Sequence, residues 1–163
     1  SDWSSDVCSS DLDMDEACTC TDLIHINHMN AATIQELARA TLEGSMPFPE
    51  IVACLIEEGV EYYLVDYRSL QFTFYGIAGG VVIAPLLFEG LPEIGQTFEL
   101  SNLHAAIRDS QSQGQKFRDF CARAMRAGVH SYYAFLKGKR VLYMGRQGDQ
   151  HVEWFPGAAP TDA

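Results

Sequence analysis

The stretch from Gly59 to Gly76 reads GVEYYLVDYRSLQFTFYG, and the stretch from Gly128 to Gly145 reads GVHSYYAFLKGKRVLYMG. Each is a pair of β-branched and aromatic runs around a polar centre, the pattern of a β-hairpin. The two stretches stand 69 residues apart, and the same shift aligns much else. Arg39 falls on Arg108, Phe48 on Phe117, Ala53 on Ala122, Tyr63 on Tyr132 and Gly79 on Gly148. An internal repeat supplies its own control. Positions shared by both copies belong to the fold, and polar positions found in one copy only are candidates for function.

Upstream of each hairpin the apolar period changes to that of helices. Ile34, Leu37, Ala38, Thr41 and Leu42 predict a helix over 33–43, with Thr33 and Glu36 as a capping box. Leu103, Ala106, Ile107 and Ser110 predict its counterpart, with Ser101 as N-cap. A second helix opens at Pro49, buries Ile51, Val52, Leu55 and Ile56, and stops at Gly59. Its counterpart buries Phe120, Cys121, Ala124 and Met125 and stops at Gly128. Downstream, Gly79 and Gly148 turn the chain into third strands, Val81–Ala84 and Gln150–Phe155. The fold class is therefore α+β, an internal tandem repeat of two α-α-β-β-β units with an antiparallel sheet and helices on one face. Copy one covers 33–84 and copy two 101–155, joined by a connector over 85–100 that packs through Phe88, Leu91 and Phe98. Together they make one α+β domain over 29–157, followed by a tail over 158–163.

Period-two alternation sorts each hairpin into faces. With the first turn at Arg68-Ser69, Asp66 opposes Gln71 and Leu64 opposes Thr73. Tyr63, Val65, Tyr67, Phe72 and Phe74 then form the core face under the helices. Tyr62, Leu64, Asp66, Gln71, Thr73 and Tyr75 form the other face, matched in copy two by Ser131, Tyr133, Phe135, Arg140, Leu142 and Met144. A turn at Gln147-Gly148 places His151 beside Met144 and Glu153 beside Leu142, on that same face. The face is too aromatic for bulk water, so the other copy, a second subunit or a ligand is expected to cover it.

Differences between the copies point to a site. Asp66 corresponds to Phe135, Thr73 to Leu142, His151 to Val82, Glu153 to Ala84 and Arg146 to Ile77. If the copies bring their aromatic faces together, a cleft forms between them, and the candidate ligand-binding residues are Tyr62, Asp66, Thr73, Tyr75, Tyr133, Arg140, Arg146, His151 and Glu153. A pocket with aromatic walls and a few polar groups is a usual ligand site. Asp66 has an alternative role as an acceptor for its own turn. His151 and Glu153 share a strand face and suit an acid–base pair. Zinc takes three or four ligands, and only the distant His130 joins those two, so neither metal nor cofactor is expected. Cys121, on an apolar helical face, reads as inert core.

The chain carries a net charge of −11 over 163 residues. Residues 2–12, DWSSDVCSSDL, match the translation of a short-read sequencing adapter and are set aside with the rest of 1–12 as an artefact. Residues 13–28 are read as a non-native or disordered leader, with Met29 as the initiator and Met14 the alternative. The first 28 residues hold seven acids and no Lys or Arg, so the remainder carries −4. Residues 29–101 carry −8 and residues 102–157 carry +5. That asymmetry suits halves that attract each other or a second subunit. The Lys/Arg density is below that of a nucleic-acid face, so nucleic acid is not an expected partner. No apolar run approaches the ~20 residues of a membrane helix. Cys54 and Cys121, both on helices, suit a reducing cytoplasm.

Several stretches resemble a bacterial and prophage family, YdfO/YbcV-like, whose members are sometimes labelled phage envelope protein. They are Met29-Asn30, Phe48-Pro49-Glu50, Gly59-Val60 with Tyr63 and Asp66, and Thr73-Phe74-Tyr75-Gly76. Ala106-Ile107-Arg108-Asp109-Ser110-Gln111 follows, then Gly145-Arg146-Gln147-Gly148 with His151, Glu153, Phe155 and Pro156. The resemblance spans 29–156 and implies a small cytoplasmic α+β protein without implying an activity. Three functions are then expected in order. The first is a small-molecule-binding or regulatory module using the cleft. The second is a hydrolase- or isomerase-like enzyme using Asp66, His151 and Glu153. The third is a phage-related protein-interaction module, with a homodimer among its forms.

Overall fold

The structure, a computed structural model, describes residues 29–161; the expectations for residues 1–12 and 13–28 and for the last two residues of the tail lie outside it. The described chain is α+β, with four helices and a six-stranded antiparallel sheet. Helices α1 (Ala31–Glu43) and α2 (Phe48–Glu57) precede β1 (Val60–Asp66), β2 (Gln71–Gly76) and β3 (Val81–Pro85). Helices α3 (Leu100–Ser112) and α4 (Phe117–Arg126) precede β4 (Val129–Phe135), β5 (Arg140–Gly145) and β6 (Gln150–Trp154). Element for element, the two halves have the same lengths: 13 and 10 residues for the helices, then 7, 6 and 5 for the strands.

Strand order is β3-β2-β1-β4-β5-β6, so the halves meet edge to edge through β1 and β4. The pairing centres on Leu64 opposite Tyr133, and the flanking bonds mirror each other. Tyr67 N–H donates to the His130 carbonyl at 2.9 Å, and Leu136 N–H to the Glu61 carbonyl at 3.1 Å. This arrangement lays the aromatic faces side by side. They do not close on each other, so the expected cleft between the halves does not form.

The first hairpin has the expected register, with Leu64 opposite Thr73 and Asp66 opposite Gln71. Its turn is longer than expected: Leu70 adopts a left-handed φ of 56°, and the strands stop at Asp66 and Gln71. The second hairpin repeats this at Lys139, with φ 55°. The face under the helices is the core, and Tyr63, Val65, Tyr67, Phe72 and Phe74 are all buried there. Burying this many large apolar side chains is the main stabilising term, at ~1.5–3 kcal/mol each. From the helices, Ile34, Leu37, Ile51 and Leu55 meet them in the first half, and Leu103, Ile107, Phe120 and Met125 in the second, forming one continuous core. Val52 is only partly buried, and Ile56 is exposed because it faces away from the sheet.

Capping differs from expectation. The α1 N-cap is Asn30, whose Oδ1 accepts Thr33 N–H at 3.0 Å, rather than Thr33 itself. Helix α3 starts at Leu100, one residue before Ser101, and its N-cap Glu99 makes no side-chain cap bond. The backbone of Glu99 is instead held by the end of α4, donating to the Ala127 carbonyl at 2.7 Å. The connector packs as expected: Gly95 N–H donates to the Met125 carbonyl at 2.8 Å, and Phe88, Leu91 and Phe98 lie on the core. Phe98 covers Gly145, as Met29, 69 residues earlier, covers Gly76.

The β5–β6 register departs from expectation by one residue. Gly145 N–H bonds the Asp149 carbonyl at 2.8 Å, closing a three-residue loop whose last member, Gly148, has φ +89°. A left-handed third residue is the mark of that loop length. Met144 therefore opposes Gln150, and His151 opposes Tyr143. The odd loop moves His151 and Glu153 to the opposite face of the sheet, under the helices.

Candidate metal centre

The nine residues expected to share a cleft fall into three places. Tyr62, Asp66, Thr73, Tyr75, Tyr133 and Arg140 lie on the open face of the sheet. Tyr62 stacks on Tyr75 with ring centroids 4.8 Å apart. Arg140 stands over the Trp154 ring at 4.4 Å. Asp66 takes its alternative role: its Oδ1 accepts Arg68 N–H at 2.8 Å and Ser69 N–H at 3.4 Å. Thr73 is buried among its strand neighbours. Arg146 is exposed in the β5–β6 loop, donating to the Ile94 carbonyl at 3.3 Å. His151 and Glu153 alone lie on the helix face.

There they meet a residue that the sequence reading missed. His104, on α3, brings its Nε2 to 3.2 Å from His151 Nε2. His151 Nε2 is also 2.9 Å from Glu153 Oε1. The three ligand-type atoms all lie within 4.8 Å of one another. The His104 and His151 rings meet edge-on, with centroids 4.6 Å apart. The buried Tyr143 ring lies parallel behind His151. The side chains of His151 and Glu153 are 17% and 31% exposed, so the cluster is half-buried.

Proton counting sets this cluster apart from an ordinary hydrogen-bond chain. A carboxylate oxygen only accepts, and an imidazole Nε2 has either one hydrogen or one lone pair. If His151 Nε2 carries a hydrogen, that one hydrogen must be shared between Glu153 and His104 as a three-centre bond. If it is bare, it can accept from His104 but then faces the carboxylate lone pairs at 2.9 Å. Protonating the ring at Nδ1 adds no second hydrogen at Nε2. One cation placed among the three atoms satisfies all of them.

The first half fills the same place differently. A shift of 69 matches His104, His151 and Glu153 to Gln35, Val82 and Ala84. Val82 and Ala84 are buried core, and Gln35 Nε2 donates to the Ile83 carbonyl at 3.2 Å. His104 matches another polar residue, Gln35, so the contrast between the halves does not single it out in the sequence.

Other candidates have structural roles. Asp109 Oδ2 accepts Arg123 NH1 at 2.6 Å, and Arg123 also reaches Gln115 Oε1 at 2.8 Å, locking α3 to α4. Cys121 is fully buried, and burial pushes its thiol up to about 12, which leaves it without nucleophilic thiolate. His130 lies on β4 outside the cluster.

No family model matches the chain. It is similar to uncharacterised proteins of Mycobacterium bovis and of two Mycobacterium tuberculosis strains. Each is 27% identical over 159 residues, covering 89% of this chain and 92% of the relative. That coverage extends the similarity N-terminal to Met29. Among the described residues no helix is long and apolar enough to cross a membrane.

Proposed function

We propose that this protein binds a divalent transition metal through His104 Nε2, His151 Nε2 and a Glu153 carboxylate oxygen. The observation that carries the reading is the crowding of two imidazole nitrogens and a carboxylate oxygen within 4.8 Å of one another. Two imidazoles and one carboxylate are a donor set for zinc or ferrous iron, and three protein ligands leave coordination positions for water or a small molecule. The small-molecule-binding reading is thereby kept, and its site moves to the contact of α3 with β6. Open positions also keep the hydrolytic reading, with a metal-bound water in place of the Asp66 chemistry. In this reading the halves are copies of one α-α-β-β-β unit, and the second has acquired its ligands. A cytoplasmic location and kinship with the YdfO/YbcV-like prophage family remain parts of the proposal, supported by the cysteine pattern and the quoted motifs.

Titration of the chelator-treated chain with Zn²⁺ and Co²⁺ tests the reading, with binding followed calorimetrically and by thermal shift. A ligand that binds only the native state raises its apparent stability by mass action. Zinc is expected to raise Tm. His104→Gln and His151→Val, which install the first half's residues, are each expected to weaken binding by roughly 100-fold or more. Equal affinity in wild type and both variants, or no binding of either metal, overturns the proposal.

A further inference from the structure

The sheet face away from the helices is a continuous apolar surface. A row runs straight across it: Ile83, Thr73, Leu64, Tyr133, Leu142 and Val152, one residue from each strand. Aromatic rings of Tyr75, Tyr62, Phe135 and Tyr133 form a ladder over the central strands, with successive centroids 4.8, 5.6 and 5.8 Å apart. At its margins Val81, Ile83 and Val152 are 56%, 51% and 42% exposed. Its charges are Asp66, held by its own turn, and Arg140, held by Trp154. No element among the described residues covers this face. An apolar surface of this extent marks an interaction site.

We propose that the face is the interface of a homodimer in which two sheets pack face to face, one copy turned about an axis parallel to the strands. Two observations select a second copy as the occupant. One is charge. Residues 29–85 carry −5 and residues 86–157, whose connector packs against α4, carry +2, and their strands occupy opposite sides of the sheet. A uniformly charged partner complements only one side. A second copy turned about that axis places β3 over β6, with acidic half over basic half at both ends. The other is area. Six strands of five to seven residues give a flat footprint on the order of 500 Å² per copy. Two such footprints reach the ~1,000 Å² at which specific interfaces begin. Aligned packing of two sheets through their apolar faces is an established way to cover them.

The geometry makes a specific demand. Ile83 and Val152 end the same row, equally far from the β1–β4 seam. The dimer therefore sets Ile83 of one copy against Val152 of the other, whereas an axis across the strands would set each against itself. Sedimentation equilibrium of the full chain over roughly 1–100 µM tests this. Wild type is expected to be a dimer. Ile83→Lys and Val152→Glu alter half-exposed positions, so each should keep its circular dichroism and become monomeric. The double variant places opposite charges in register and is expected to recover dimer. A monomeric wild type, single variants that remain dimeric, or a double variant that remains monomeric overturns the proposal. Chelator in the cell leaves the expected result unchanged, which separates it from the metal site.

Discussion

A helix meets an outermost strand at each end of the sheet, and the two places are filled in two ways. In the first half Val82 and Ala84 are buried core, and the exposed Gln35 makes one hydrogen bond to the Ile83 backbone carbonyl. In the second half His104, His151 and Glu153 crowd three ligand-type atoms into a half-exposed space. Element lengths, turn geometry and strand pairing match on both sides. Backbone demands alone therefore do not explain the second arrangement, since the first half satisfies the same backbone with ordinary side chains. Buried polar groups carry a desolvation cost that is offset only when every member is satisfied. The comparison supports the proposed metal-binding role of the two histidines and the glutamate.

The halves also differ in what leans on them, and the largest stability effect should appear there. Gly128, at the end of α4, has φ +96°, and a Cβ on it would lie 2.3 Å from the Thr97 carbonyl oxygen of the connector. Gly148 has nearly the same φ, +89°, but open space around it. Gly128→Ala is expected to cost about 2–4 kcal/mol, adding a backbone clash to left-handed strain. Gly148→Ala is expected to cost about 1–2 kcal/mol from strain alone. Urea denaturation of the two variants measures the difference. Equal losses would mean that the connector yields and does not brace α4.

Gly148 also explains what was legible in the sequence. Alternation gave the faces of β1, β2, β4 and β5 correctly, because each strand has one wholly apolar side. The register of the first hairpin followed, since a four-residue turn centred on Arg68-Ser69 pairs the same residues as a two-residue one. At β5–β6 the polar positions His151 and Glu153 occupy the core face, so alternation pointed the wrong way. The three-residue loop then shifted the pairing by one. His104 was hidden for another reason: a histidine on an amphipathic helix announces nothing until the strand it meets is placed in register. The edge-to-edge joining of β1 and β4 depends on pairs 65 to 73 residues apart in the chain, which no local pattern records. Asp66, by contrast, was readable in its structural role, because an aspartate before a turn is a local acceptor.

A second, smaller contrast lies behind the His104–His151–Glu153 cluster. Tyr143 stands where the first half has Phe74. Burial pushes the Tyr143 hydroxyl well above the ordinary tyrosine range, with the Glu153 carboxylate adding to the effect. Burial does the same to Tyr63, Tyr67 and Tyr132. The unfolded chain gives up these protons near pH 10 while the folded chain keeps them. Above that pH the unfolded state binds fewer protons, so stability is full below about pH 10 and falls as pH rises. Each group contributes about 1.4 kcal/mol per pH unit in that range. Tyr143→Phe should flatten the decline in unfolding free energy above pH 10 by about one such increment, measured by denaturant titration at several alkaline pH values. An unchanged slope would show that the Tyr143 hydroxyl ionises in the folded protein as it does in solvent.

The smallest expected difference concerns how the two long helices begin. Helix α1 has a side-chain cap, with Asn30 Oδ1 on Thr33 N–H at 3.0 Å. Helix α3 has none, and its first turn is fixed by the bond from Glu99 N–H to the Ala127 carbonyl at 2.7 Å. A side-chain cap is lost when the residue is replaced by alanine, whereas a backbone bond survives the change. Asn30→Ala should therefore cost about 1 kcal/mol. Glu99→Ala should cost less than about 0.5 kcal/mol, because it removes only a contact between Glu99 Oε1 and Asn102 Nδ2 on the surface. Paired thermal melts of the two variants decide the matter. If Glu99→Ala proved the more costly, the start of α3 would be held by its side chain, and the second half would depend less on the connector than its backbone bonds indicate.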